Sequence, residues 1–336
     1  MTPAASTVDH LETPRLPLRV KRKVKSRHKS ISDPIQDRQP HRSRSLPKDG
    51  PETPLTINVR HPEIPVQIVP IKTVGDTIID RPLRELDGKA LFIKEVEDAL
   101  LDGRADIAVH CMKDYYPTVP ESFNLEVILR RETAFDLILT RDRLGRWREL
   151  PLGSVIGTTS QRRVFELKRA RPDFIFRPLR GNIDTRLARL CRGDFDAIVL
   201  AEAGFHRLGL EHHSVFTLSP EEMLPAVGQG ALGIETRAGD LTTLAKIRFL
   251  DDGLTHALVS AERAFVRMVG GDCGSAVGAF ARFSGTNIIL TGFVGDVASM
   301  KEIRKTAQGT MDAPEELGIA LGAKFASQGA AKIISS

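Results

Sequence analysis

Four short stretches carry side chains whose types and spacing suit chemistry on an anion. The first is His110-Cys111-Met112-Lys113-Asp114, which ends the apolar run Ala105 to His110. A buried strand that closes on adjacent opposite charges leaves both at a rim, and the carboxyl ends of strands are where open α/β sheets bind ligands. An exposed Lys and Asp in an ordinary turn is the plainer account of the same residues, and His110 itself reads as a packed strand residue. The second stretch, Gly157-Thr158-Thr159-Ser160-Gln161-Arg162-Arg163, sets small hydroxyl residues between a strand and a helix. Such a loop supplies an N-cap and free backbone N–H groups, the elements of an anion seat. Two arginines in the first helical turn oppose the macrodipole and so call for a negative partner.

The third stretch repeats this one unit later, with Arg177, Arg180 and Gly181-Asn182 leading into a helix that carries Arg186. Arginine suits bidentate recognition of carboxylate or phosphate. Two like charges about 4 Å apart cost on the order of 4 kcal/mol at an effective dielectric near 20. A cluster of Arg162, Arg163, Arg180 and Arg186 therefore predicts a multiply charged carboxylate or phosphate ligand. The fourth stretch, Gly270-Gly271-Asp272-Cys273-Gly274, presents a thiol in a glycine loop, accessible as a nucleophile. Cys191 and Cys111 are expected to be packed. The three cysteines form no CxxC pair and no zinc spacing, so no metal and no disulfide framework is expected.

The elements that must position these stretches alternate in type. Val66 to Ile71 reads as a strand, Ile93 to Leu101 as a helix and Ala105 to His110 as a buried strand. The pattern resumes with strands at Ser154 to Gly157, Phe174 to Leu179 and Ala197 to Ala201. Helices at Arg162 to Ala170 and Ile183 to Cys191 separate them. A last segment opens with a helix from Ala257 to Val269. It continues with strands near Ala276 to Arg282 and Asn287 to Phe293 and closes with a helix near Pro314 to Ser327. The fold class is α/β with a small α+β domain at the end.

Charge is unevenly placed. Residues 1–50 hold 12 Lys+Arg against 5 Asp+Glu, and the other 286 hold 36 against 38. The excess sits in a Ser-, Pro- and Arg-rich tail that is too polar to bury a core and is expected to be disordered. Apolar runs are strand-sized, far short of the roughly 20 residues of a membrane span. A soluble, cytoplasmic protein follows as the expectation, with organellar import by the basic leader as the alternative. Nucleic-acid binding by the tail would be generic electrostatics without a reading fold.

In order and spacing, DIAVHCMKD, GTTSQRR, RPLRGNIDTRL, FDAIVLAEAGFHRLGL, LPAVGQGALGIETR and AERAF followed by a Gly-Gly-x-Cys loop resemble the porphobilinogen deaminase family. The likeness runs from about Val66 to the C-terminus. It implies two lobes like those of type II periplasmic binding proteins, with mixed sheets, plus the small C-terminal domain: 54–133 with 223–250, 134–222, and 254–336, after a tail over 1–53. It also implies a dipyrromethane cofactor bound through a thioether to Cys273, porphobilinogen as substrate, hydroxymethylbilane as product and a monomer. Asp114 would be the catalytic carboxylate, stabilising positive charge and moving protons as ammonia leaves the aminomethyl group. Lys113, Thr158, Ser160, Arg162, Arg163, Arg180, Asn182 and Arg186 would contact cofactor and substrate carboxylates. Arg207 and Gln229 would lie nearby, and Lys89 with Phe92 in a mobile segment over the cleft.

Several positions depart from the family pattern. Cys111 replaces a usual Ser, and Tyr115-Tyr116 inserts one residue after the catalytic Asp. The family's opening strand, roughly Arg-Ile-Gly-Ser-Arg, reads as absent, and a one-nucleotide shift across Gln36 to Lys48 would restore it. On that reading residues 36–50 are out of frame, the first lobe lacks a central strand and the enzyme is impaired. A non-catalytic anion-binding protein on the same lobes is the alternative. The loop Cys273 and the Lys113-Asp114 pair discriminate, because plain binding needs neither.

Overall fold

The computed structural model describes residues 18–22 (backbone only), 57, 60–71, 93–271 and 274–334. Three sheets organise them. The first is built from β1 (Leu18–Arg22), β2 (Val66–Pro70), β3 (Ile107–Cys111), β4 (Phe123–Ile128) and β10 (Leu232–Arg237), in the order β2-β1-β3-β10-β4. β1 runs parallel to both neighbours, with Leu18 opposite Val66 and Val20 opposite Ile107, whereas β10 is antiparallel to β3 and β4. Helix α1 (Lys94–Leu101) feeds β3 and buries Val96, Ala99 and Leu100.

This arrangement corrects the expectation of a missing strand. Leu18–Arg22 stands in the slot between β2 and β3, where the strand was expected to be missing. The physical reason is local: Leu18 and Val20 alternate with Arg19 and Lys21, the period a strand needs, and average composition over 50 residues conceals five that alternate. Without it the facing edges of β2 and β3 would each present unpaired N–H and C=O groups. The rest of the expected tail lies outside the described residues.

The second sheet comprises β5 (Asp136–Thr140), β6 (Val155–Gly157), β7 (Ile175–Arg177), β8 (Ala197–Ala201) and β9 (Val215–Leu218), in the order β7-β6-β8-β5-β9. Helices α2 (Gln161–Ala170) and α3 (Ile183–Cys191) connect its parallel strands, and α4 (Glu202–Arg207) follows β8. Both sheets therefore share one plan: three parallel strands, then a strand arriving from the other lobe and inserted antiparallel before the last. That plan defines the type II periplasmic-binding-protein lobe. Cys191 and Cys111, expected to be packed, are both exposed. Cys111 follows the inward-facing His110 on its strand and so turns outward, and Cys191 ends its helix one residue past the buried Leu190.

After α5 (Leu241–Ile247) comes the third unit. The antiparallel meander β11 (Ala276–Ser284), β12 (Asn287–Gly295) and β13 (Glu302–Thr310) is covered by α6 (Gly253–Val269), α7 (Pro314–Ala326) and α8 (Ala330–Ile334). Helices α6 and α7 touch closely because Gly318 has no side chain: a Cβ there would strike the Ala261 carbonyl oxygen. Phe265, Leu321 and Phe325 are fully buried in the resulting core. The sequence reading missed β13. It has no alternating apolar face, and partial burial on one side suffices to pair it with β12.

Candidate active site

The two lobes are joined by two crossing segments, 129–135 and 223–231. They lie side by side, with Leu129 N donating to Leu232 O at 2.9 Å and Glu132 N to Gly230 O at 3.2 Å. Gly230, at φ +85°, is required here, since a Cβ would collide with the Thr133 carbonyl. Glu262 of α6 fastens both crossings to the third unit. It accepts from Arg131 Nη1 at 2.6 Å, from Gly228 N at 2.7 Å and from Ala281 N at 2.9 Å. Two expected site residues belong to this junction. Arg207 donates to Glu132 Oε1 at 3.2 Å and to Gly230 O at 3.1 Å. Gln229 donates through Nε2 to Ala134 O at 2.6 Å, while its buried Oε1 has no partner among the described residues.

On the first lobe, β3 runs into a 3-10 turn over Met112–Asp114. Met112 is buried under Gly228 and Gly233, which anchors the turn, and its N–H donates to Ala231 O at 3.1 Å. Lys113 is half-buried and Asp114 exposed. Burial pushes the Lys113 ammonium below its ordinary pKa; Asp114 works against this and Arg163 with it.

On the second lobe, the loop after β6 forms a local frame. Thr158 N donates to Arg177 O at 3.1 Å, Thr158 Oγ1 accepts from Ser160 N at 3.2 Å, and Ser160 Oγ caps α2 by accepting from Arg163 N at 3.4 Å. Asn182 caps α3 in the same manner, through Thr185 N at 2.8 Å. These caps explain why Ser and Asn stand where they do.

Here the charge argument is corrected for two of the four arginines. Arg162 and Arg163 are buried against Asp136, the first residue of β5, which is fully buried. Arg162 Nη1 lies 2.7 Å from Asp136 Oδ2 and donates to Leu224 O at 2.8 Å. Arg163 spends Nε and Nη2 on Asp136 Oδ1, at 3.0 and 2.7 Å, and Nη1 on Val199 O at 2.9 Å. Burial alone would raise the Asp136 pKa, but the two guanidinium groups outweigh it and hold the carboxyl well below the usual range. The pair thus has an internal anion. An acid opening the apolar run Asp136 to Leu139 was the signal available in the sequence.

Arg186 is different. Its Nε donates to Gly181 O at 2.9 Å, and its terminal nitrogens have no partner among the described residues. Its pKa is pushed down to about 10, chiefly by burial and then by Arg163, with Asp114 opposing. Lys113 and Asp114 of one lobe and Arg163 and Arg186 of the other are therefore electrostatic neighbours across the cleft. Arg180 is half-buried at the loop before α3. Cys273, Lys89 and Phe92 lie outside the described residues. The ends of the Cys273 loop are described, Gly271 following the αL cap Gly270 of α6 and Gly274 preceding β11. No helix among the described residues is long and apolar enough to cross a membrane.

Two type II lobes, with Lys113 and Asp114 of one facing Arg163 and Arg186 of the other, and a third α+β unit at their junction define a two-lobed α/β protein. Residues 53–245 match the family model described as "Porphobilinogen deaminase, dipyromethane cofactor binding domain", and residues 256–327 match "Porphobilinogen deaminase, C-terminal domain". The chain belongs to the porphobilinogen deaminase family, transferases of tetrapyrrole synthesis. Among solved structures it is similar to YhfZ from Shigella flexneri, at 18% identity over 67% of this chain and 95% of that one, with a TM-score of 0.32. It is also similar to the binding protein ytmK from Bacillus subtilis, at 11% identity over 59% and 78%, with a TM-score of 0.36.

Proposed function

We propose that the chain is a hydroxymethylbilane synthase: it condenses four porphobilinogen molecules, with loss of ammonia, on a dipyrromethane thioether-linked to Cys273, and releases hydroxymethylbilane. The observation that carries this reading is the exposed Asp114 carboxylate of one lobe beside Lys113 and facing the open guanidinium end of Arg186. A pyrrole chain bearing acetate and propionate groups needs cations for its acids and an acceptor for its ring N–H groups, and that donor set meets both needs. When bound, the cofactor supplies the nucleophilic pyrrole carbon onto which new units are added.

The chain's own residues do the rest. Asp114 accepts hydrogen bonds from pyrrole N–H groups, stabilises the positive charge that develops as ammonia departs, and carries the proton lost when aromaticity returns. Lys113, Arg180 and Arg186 bind carboxylates, Arg186 through a fork that a lysine lacks. Arg162 and Arg163, neutralised by Asp136, position the α2 loop, whose shape Thr158 and Ser160 hold through their side-chain oxygens. Arg207 and Gln229 set the angle between the lobes from the crossings.

Intact mass tests the reading. Purified protein is expected to carry an adduct of dipyrromethane size that is absent from Cys273→Ser, and to consume porphobilinogen. An unmodified mass in folded, substrate-supplied protein supports the plain anion-binding alternative instead.

A further inference from the structure

We propose that Glu235 and Tyr115 are positioning residues that hold the Lys113–Asp114 turn from both sides, an inference that rests on the role given to Asp114 above. Glu235 lies on β10 and is fully buried. Its two oxygens serve residues that bracket the turn. Oε2 is 2.7 Å from His110 Nε2, one residue before Cys111, and Oε1 accepts from the Tyr115 hydroxyl at 2.6 Å, one residue after Asp114. The six-residue span from His110 to Tyr115 is thereby closed on a single carboxylate. The rings reinforce the closure, with centroids 4.9 Å apart.

Tyr115 also links this turn to the third unit. The Arg263 guanidinium of α6 lies 5.5 Å from its ring centroid and donates to Pro117 O at 3.1 Å, just beyond the turn. Helix α6 leads directly into the Cys273 loop. Tyr115 therefore sits between the helix that carries the attachment loop and the turn that presents the carboxylate. The Tyr115-Tyr116 pair, where the sequence departs from the family pattern by one inserted residue, thus supplies a tie of its own. Burial, ahead of Glu235, raises the Tyr115 pKa, so the phenol stays a donor throughout the working range.

The chemistry of a positioned carboxylate depends on where it points, and a displacement of about 1 Å costs on the order of a hundredfold in rate. Tyr115→Phe removes one oxygen, keeps the ring beneath Arg263 and frees one end of the clamp. In the full-length, cofactor-loaded enzyme the expected result is a fall in kcat of about tenfold or more with KM near the parent value. The adduct mass should be unchanged, and peptides over 111–116 should exchange amide hydrogen faster. Glu235→Gln, which can no longer accept at both atoms, should fall further. An unchanged kcat and unchanged exchange in folded Tyr115→Phe overturns the proposal, as does a loss confined to KM. The exchange measurement needs no turnover: faster exchange in a protein without adduct or activity would leave the clamp standing and remove only the deaminase reading.

Discussion

Asp136 meets Arg163 through a single oxygen, at 2.7 Å from Nη2 and 3.0 Å from Nε, while its other oxygen lies 2.7 Å from Arg162. One carboxylate thus offsets two buried guanidinium groups at the start of α2, where the helix dipole opposes them. Removing it leaves both cations uncompensated. Asp136→Asn should lose about 3–5 kcal/mol, the usual consequence of breaking a buried pair from one side. The check is thermal or urea unfolding of the loaded protein. Because the carboxyl's folded pKa is depressed, its contribution is present above its unfolded value near 3.8 and disappears only as pH falls below it. The deficit of the variant should be the same at pH 6 and pH 8.

β1 pairs with β2 at five positions and with β3 at two, as an interior strand of the first sheet. Deleting residues 1–24 should open that lobe to limited proteolysis and abolish adduct formation. Deleting 1–16, which leaves the strand whole, should leave both near the parent. Equal behaviour of the two truncations would show that Leu18–Arg22 is not the strand that completes the sheet.

Arg186 has an anchored Nε and open terminal nitrogens, so its removal should be felt by the ligand more than by the fold. Arg186→Leu is expected to raise KM for porphobilinogen about tenfold or more, equivalent to about 1.4 kcal/mol or above. Melting temperature should change little, because the residue fills no core cluster. Arg186→Lys should recover only part of the loss, a point charge replacing a fork.

Much of the scaffold was legible because its signals are local. Ile183–Cys191 and Ala197–Ala201 coincide with the expected elements, each an uninterrupted periodic run. The hidden parts depend on partners far along the chain. β10 and β5 arrive from the opposite lobe and pair antiparallel, and nothing in LGIETR or DLILT announces which strand it will meet. The site was legible in the same divided way. Lys113, Asp114 and Arg186 could be named from charge and position, but the partners that orient or neutralise their neighbours could not. Asp136 and Arg163 are 27 residues apart, and His110 and Glu235 are 125 apart. Glu262, the node of all three units, sits within a helix where an isolated acid reads as solvated surface.

Glu97 on α1 offers a pH test of the ground behind the catalytic turn. Its carboxyl is pushed up to about 7, first by burial, then by the charges of Glu235 and of Asp98. Its Oε1 is buried and accepts no hydrogen bond among the described residues. Tyr115 and Tyr116 also face it, and burial first, with the charges of Glu97 and Glu235 adding to it, raises both phenols, Tyr116 to about 12. The folded pKa lies above the ordinary value of 4.5, so the folded state holds this proton more tightly than the unfolded chain does. Stability is therefore favoured below about 4.5, is lost progressively as pH rises toward about 7, and shows no further change from this group above that. Glu97→Gln removes the titration and keeps the shape. The variant should melt above the parent at pH 8, by a few degrees at most for a half-buried group, and the difference should shrink steadily between pH 7 and pH 5. A difference that stays flat across that interval, or grows toward acid, would mean that the carboxylate is not strained by Glu235 in the folded protein.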